Sequence, residues 1–282
     1  MAELQLRLPI GPLQALHWGR PGDTPVLALH GWLDNAASFV PIAPHLAGIE
    51  LVAIDLPGHG RSAHLPVGTC YTYEIAVHHV LDAADTLGWA RFSLLGHSMG
   101  AGLASLVAAA CPERIERLVC IEALGGLADD EANTAQRMRE SIAASRSLRS
   151  KALRVFPDPE PAIRARVAAN QLTEASARLL VERGIRRVPG GWEWSSDQRL
   201  TVPTFLRQTQ AQIEATVAGI TCPTAVVFAE PAQPYLPDAV RHRFVECLGD
   251  GRLHVLDGGH HLHMEQPGEV AACIAGFLRG ED

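Results

Sequence analysis

Two hydrophobic periods alternate along this chain, and their order predicts its architecture. Leu4 to Leu8 and Leu13 to Trp18 alternate apolar and polar residues about Pro9-Ile10-Gly11-Pro12, which predicts an N-terminal hairpin. Val26 to Leu29, Leu51 to Ile54, Phe92 to Leu95, Arg117 to Glu122, Thr224 to Ala229 and Arg252 to Leu256 are short and largely apolar. They are too brief for buried helices and have the length of strands covered on both faces. Between them lie helical stretches: Ala36 to Leu46, the Ala/Leu-rich Ala101 to Ala110, Pro237 to Cys247, and a last one ending near Arg279. From Tyr73 to Leu87, Ile75, Val77, Val80, Leu81, Ala84 and Leu87 recur at three- and four-residue steps, the pattern of an amphipathic helix. Repeated strand and helix call for a mostly parallel sheet with helices on both faces, an α/β fold.

That rhythm stops after Glu122. From 124 to 215 the pattern gives helices near Asn133 to Ala152, Pro161 to Asn170 and Glu174 to Arg183, then a Pro189-Gly190-Gly191 turn leading into a short extended piece at Trp192-Glu193-Trp194. No further buried strand is predicted there. The expected organisation is one α/β core, residues 1–123 and 216–282, interrupted by a helical cap over 124–215. The net charge of −7 is unevenly divided: the cap holds 14 Lys and Arg against 11 acidic residues, so the acidity belongs to the core. Hydrophobic residues at 47% and charged residues at 20% describe an ordered globular protein. An acidic chain predicts no nucleic-acid partner, and the lack of an 18-residue apolar run predicts no spanning helix. The first ten residues alternate instead of forming a signal-peptide core, so a cytosolic location is expected. Six cysteines without C-x-x-C spacing read as small buried hydrophobes, not as a disulfide or zinc framework.

The chemistry concentrates where the predicted strands end. The run Phe92 to Leu95 leads into Gly96-His97-Ser98-Met99-Gly100 and then a helix. G-x-S-x-G between strand and helix is a nucleophile elbow, whose small flanking residues let the backbone turn sharply and raise the serine hydroxyl above the sheet. A serine needs a base, and His260, in Gly258-Gly259-His260 after the last predicted strand, is the candidate. An oxyanion hole needs two backbone N–H groups, and Met99 and Trp32 are placed to supply them. The Trp32 side chain is also a candidate pocket wall. His261 and His263 read as loop packing, with Glu265 as a partner for His263. A metal site of His260, His261 and His263 is not expected, since the three lack helical i, i+4 spacing and a fourth ligand. Asp197 and Arg199, where the cap returns to the core, read as a pair.

Four segments together, His30-Gly31-Trp32-Leu33-Asp34-Asn35, Asp55-Leu56-Pro57-Gly58-His59-Gly60-Arg61-Ser62, Gly96-His97-Ser98-Met99-Gly100 and Gly259-His260-x-x-His263-x-Glu265-x-Pro267, resemble the α/β-hydrolase superfamily. The His30-to-Phe39 opening is similar to its serine-hydrolase-like subgroup. The resemblance spans about two thirds of the chain and implies a cap that covers the site and sets the substrate. It implies a mostly structural role for Asp55 and Arg61, with His59 or Ser62 near the pocket. The usual family acid, an Asp in the loop after Thr224 to Ala229, has no counterpart in Glu230-Pro231-Ala232-Gln233-Pro234. Members similar to haloalkane dehalogenases place the acid at the end of the strand before the cap, where Glu122 stands. Glu122 is the expected acid, Glu230 and Asp238 are the alternatives, and a bare Ser-His dyad stays open.

The expected function is a serine hydrolase, free of cofactor and metal, cleaving an ester, thioester or lactone of a small apolar acyl substrate. Ser98 in place of Asp argues against dehalogenase and epoxide hydrolase chemistry. Carbon–carbon bond hydrolysis, cofactor-free peroxidation of a carboxylic acid, and a catalytically silent binding role are the alternatives. Phe156, Trp192, Trp194 and Phe205 are candidates for an apolar lid or for the cap's own core.

Overall fold

The computed structural model describes residues 1–148 and 153–281. Its centre is an eight-stranded sheet in the order β1-β2-β4-β3-β5-β6-β9-β10. The hairpin β1 (Ala2–Leu8) and β2 (Gly11–Trp18) forms an antiparallel edge, β2 pairs antiparallel with β4 (Ile49–Ile54), and all later pairings are parallel. The interior strands are β3 (Thr24–Leu29), β5 (Phe92–His97), β6 (Ile115–Ile121) and β9 (Thr224–Glu230), with β10 (Gly251–Asp257) on the far edge. Their continuous apolar runs follow from burial on both faces: Leu27, Leu29, Leu94, Leu118 and Val226 enter one core cluster, and Val26, Ala28, Leu95, Val119 and Val227 the other.

The register decides where the loops fall. Leu29 lies beside Gly96, His97 beside Ile121, and Ile121 beside Val227, so β3, β5 and β6 end at one edge, with β9 running only a little further. Open parallel sheets gather their ligands beyond this carboxyl edge. Helix α1 (Tyr73–Thr86) is capped by the Thr72 hydroxyl, which accepts from the Ile75 N–H, and α2 (Met99–Ala110) starts directly at the elbow. The predicted helix from Ala36 to Leu46 is instead two short 3₁₀ turns, Ala36–Phe39 and Ala43–His45. Pro41 and Pro44 each remove a backbone donor, so a continuous α-helix cannot cross the segment.

The region between β6 and β9 carries α3 (Thr134–Leu148), α4 (Glu160–Asn170) and α5 (Glu174–Gly184), then a two-stranded antiparallel ribbon of β7 (Ile185–Val188) and β8 (Gly191–Trp194). The end of the helix predicted to reach Ala152 falls at 149–152, outside the described residues. The strand β7 was not anticipated. Four residues beginning at the end of a helix, with only Ile185 buried, carry too little alternation to be read. Phe156, Trp192 and Trp194 belong to a separate apolar cluster with Ile163, Leu180 and Val181, whereas Phe205 is 47% exposed. The helix α6 (Gln210–Ala218) buries Ile213 and Val217 in the main core, and the boundary expected at 215 falls inside it. The chain closes with α7 (Asp238–Glu246), the short α8 (Leu262–Glu265) and α9 (Pro267–Arg279).

The uneven charge has a structural outcome. Arg183 of α5 donates to both carboxylate oxygens of the buried Asp55, at 2.9 and 3.0 Å, and also reaches Glu3. Arg166 of α4 donates to Asp34 Oδ1 at 2.5 Å and to the Leu33 carbonyl at 2.6 Å. Basic side chains of this region thus dock on acidic ones of the sheet's loops. Asp55 also accepts from the Ala36 and Arg61 N–H groups, which makes it a structural hub. Asp197 and Arg199 do pair, and the Tyr71 hydroxyl donates to the same carboxylate.

Candidate active site

The elbow is enforced by two glycines. A Cβ on Gly100 would stand 2.0 Å from the Leu29 carbonyl oxygen, and one on Gly96 would stand 2.4 Å from the Ala101 Cα. The α2 helix can therefore approach the end of β3 only without side chains at these positions. Between them Ser98 adopts φ 53° and ψ −118°. Its own N–H donates to the Ile121 carbonyl at 2.8 Å, which ties the turn to the end of β6. Among the described residues, four non-glycine positions have positive φ, and three of these, Leu33, Ser98 and Glu122, sit on the loops at the sheet's carboxyl edge. Backbone strain of this kind is held in place by its surroundings and gathers at functional sites.

Three predicted residues meet. His260 Nε2 lies 2.9 Å from Ser98 Oγ, and His260 Nδ1 lies 3.1 Å from Glu122 Oε2. The arrangement assigns Nδ1–H as the donor to Glu122 and leaves the Nε2 lone pair to accept from the serine hydroxyl. Glu122 is fully buried, and its other oxygen, Oε1, accepts from the Ala229 N–H at 2.5 Å. The guanidinium of Arg241, also buried, lies 3.7 Å from Oε1 and donates to the carbonyls of Ala229 and Leu236. A buried carboxylate needs such a partner to keep its charge. Glu230 is exposed, and the Asp238 carboxylate faces Arg241 from the exposed end of α7 at 3.7 Å, so neither stands beside His260 as Glu122 does.

The two N–H candidates stand on adjoining elements. Met99 heads α2, where the first N–H groups have no intrahelical acceptor. Trp32 follows the end of β3 in a turn closed by the Asp34 N–H on the Gly31 carbonyl. Its indole is 53% exposed and donates to the Leu200 carbonyl at 2.9 Å, so the side chain reaches the segment between β8 and α6. His59 and Ser62 are buried inside their own loop, where the Ser62 hydroxyl donates to the Asp55 carbonyl.

Several residues around the site carried no sequence signal. The half-exposed Tyr235 has its hydroxyl 3.3 Å from His260 Nδ1. His97, inside the elbow motif, sends its side chain behind His260 and donates from Nε2 to the His260 carbonyl at 2.8 Å. His261 Nε2 lies 3.1 Å from Asp34 Oδ2. The expected pairing of His263 with Glu265 does not occur: Glu265 accepts from Thr173, and both His263 nitrogens are buried without a partner. The short helix α8 turns His263 inward against Phe39 and His97, while Glu265 points toward α5. Asp34, by contrast, sits between His261 and Arg166, and these hold its carboxyl well below the ordinary range despite burial.

Burial also keeps His30, His59, His97 and His263 neutral. Desolvation lowers His30 to about 4 and His59 and His263 to about 3, and it lowers His97 well below its ordinary value. An unfolded chain protonates such histidines near pH 6.5 while the folded one does not. Below that pH the unfolded state therefore binds more protons, and stability falls as pH falls. With His30, His59, His97 and His263 all neutral in the fold, the limiting slope is about 5 kcal/mol per pH unit, reached near pH 5. Urea unfolding between pH 7.5 and 5 is expected to show this loss, and a flat profile across that range would contradict the assignment.

Residues 24–156 match the family model described as alpha/beta hydrolase fold. A serine hydrolase-like protein of Danio rerio is 30% identical over 288 residues, which cover 99% of this chain and 88% of that one. A crystal structure of a hypothetical protein from Pseudomonas aeruginosa PAO1 superposes with a TM-score of 0.92 at 41% identity, covering 99% of both chains. The thioesterase domain from the curacin biosynthetic pathway superposes at 0.83 with 27% identity, over 96% of this chain and 98% of that domain. The chain belongs to the α/β-hydrolase superfamily, and within it to the serine-hydrolase-like subgroup. Its fold and relatives support a hydrolase acting on a small molecule.

Proposed function

We propose that the protein is a serine hydrolase that cleaves an ester, thioester or lactone through an acyl-serine intermediate. The observation that carries this reading is the unbroken chain Ser98 Oγ, His260 Nε2, His260 Nδ1, Glu122 Oε2, with links of 2.9 and 3.1 Å. His260 takes the serine proton as Ser98 attacks the carbonyl carbon, and the N–H groups of Met99 and Trp32 receive the developing oxyanion. Glu122 keeps the imidazole in the tautomer that presents a lone pair to Ser98 and balances the imidazolium as it forms. His260 then returns the proton to the leaving group, and water enters by the same path to release the acid and free Ser98. No cofactor or metal takes part in this reading. The residues from 124 to 209 form the cap, ending before α6 because that helix packs into the core.

The Glu122 carboxylate also speaks to the alternative of a silent scaffold. The lack of an Asp after Ala229 favours that alternative, and a carboxylate of Glu122 3.1 Å from His260 Nδ1 speaks against it. A fluorophosphonate probe is expected to label the wild-type protein at Ser98, identified by peptide mass. Hydrolysis of p-nitrophenyl esters graded by acyl length then reports the substrate class. An intact, folded protein that neither takes the probe nor turns over any of these esters would favour the silent scaffold.

A further inference from the structure

Behind His260 lies a second cluster of chemically capable groups that the hydrolytic mechanism does not use. Asp34, His97 and His261 are 3, 0 and 4% exposed, and each offers one ligand atom within 4.8 Å of the others. Asp34 Oδ2 stands 3.1 Å from His261 Nε2 and 3.9 Å from His97 Nδ1.

The tautomers make the cluster informative. His97 donates from Nε2 to the His260 carbonyl, so its Nδ1 carries a lone pair. That lone pair is buried, has no hydrogen-bond partner, and faces a carboxylate oxygen. His97 Nδ1 is the acceptor left without a donor, while Asp34 Oδ2 accepts from His261 Nε2–H, and a cation among the three would meet the unpaired acceptor. A ligating histidine ordinarily donates its other ring N–H to a backbone carbonyl, and a ligating carboxylate is itself hydrogen-bonded from behind. His97 meets the first condition through the His260 carbonyl, and Asp34 meets the second through Arg166 on Oδ1. Gly31 keeps the gap open, since a Cβ there would sit 3.0 Å from His97 Nδ1 and 3.1 Å from Asp34 Oδ2.

We infer that Asp34 Oδ2, His97 Nδ1 and His261 Nε2 form a binding site for a divalent transition metal ion of the zinc, cobalt or nickel type. Two imidazoles and one carboxylate suit these ions and not magnesium or calcium, which take all-oxygen sites. Small movements bring the three ligand atoms to the roughly 2.0–2.2 Å that such ions require. For His261 to ligate through Nε2, its proton moves to Nδ1, which is buried without a partner, and the metal bond must offset that unpaired N–H. The Arg166 guanidinium holds the carboxylate and at the same time opposes the incoming charge, which sets a limit on affinity.

The experiment uses Co²⁺ with the Ser98→Ala chain, so that neither nucleophile chemistry nor the reading of the protein as a hydrolase affects the result. The expected result is visible d–d absorption that saturates at one ion per chain and is displaced by Zn²⁺. His97→Gln and His261→Gln, each in that background, are expected to weaken binding about a hundredfold or more. His260→Ala, which disables the neighbouring Ser-His-Glu chain, leaves the spectrum in place. Absence of binding, persistence of the spectrum in both histidine variants, or its loss in His260→Ala overturns the assignment. Asp34→Asn keeps the test decisive if a histidine variant fails to fold, since unchanged binding in that variant also overturns the assignment.

Discussion

Replacing Ser98 by alanine is expected to lower kcat for a p-nitrophenyl ester by about 10⁶-fold, the cost of removing the nucleophile of a coupled triad. Alanine adopts the φ of 53° no less readily than serine, so the elbow and the fold should be unchanged. His260 and the two N–H groups stay in place in such a variant. A residual rate of about 10³ to 10⁴ over water is therefore expected from oxyanion binding and positioning alone. The measurement is steady-state turnover of rigorously repurified variant protein beside a thermal melt. Retention of more than about a hundredth of the wild-type kcat, far above the loss expected of the variant, would exclude an acyl-serine at this position.

Glu122→Gln is expected to lower kcat by about 10⁴-fold, and its geometry explains why an isosteric change should be so costly. The Oε1 position accepts from the Ala229 N–H and faces the Arg241 guanidinium, so both neighbours require an oxygen there. A glutamine obeys by turning its carbonyl oxygen to that side, which leaves its NH₂ facing His260 Nδ1. The imidazole then accepts at Nδ1 and carries its proton on Nε2, directed at Ser98, where no base remains. Glu230→Gln, on an exposed side chain, should leave kcat within about twofold, as surface changes ordinarily do. The reverse outcome, with Glu230→Gln inactive and Glu122→Gln active, would assign the acid to the loop after β9.

The strands of the core, the elbow and the histidine loop were legible because each is a local pattern: a continuous apolar run, two glycines about a serine, a Gly-Gly-His turn. The segment from Ala36 to Leu46 was misread because its apolar content resembles a helix, while Pro41 and Pro44 forbid one. Phe156, Trp192 and Trp194 were open between lid and core, and composition could not decide. Their packing against Ile163 and Leu180 places them in a separate apolar cluster of the region between β6 and β9. The residues that went unread share a different feature. Arg241 lies on α7, Arg166 on α4 and Asp34 after β3, and each acts on a partner more than a hundred residues away.

By itself the sequence determined the α/β alternation, the order of the loops and the place of Ser98 on a strand-to-helix turn, since backbone strain and strand burial are written in neighbouring residues. Only the tertiary structure decided which carboxylate stands beside His260 and that His97 turns behind it toward Asp34. Those relations depend on strand register and on helices packed across the sheet, and distances of 3 to 4 Å between remote side chains leave no periodic trace along the chain.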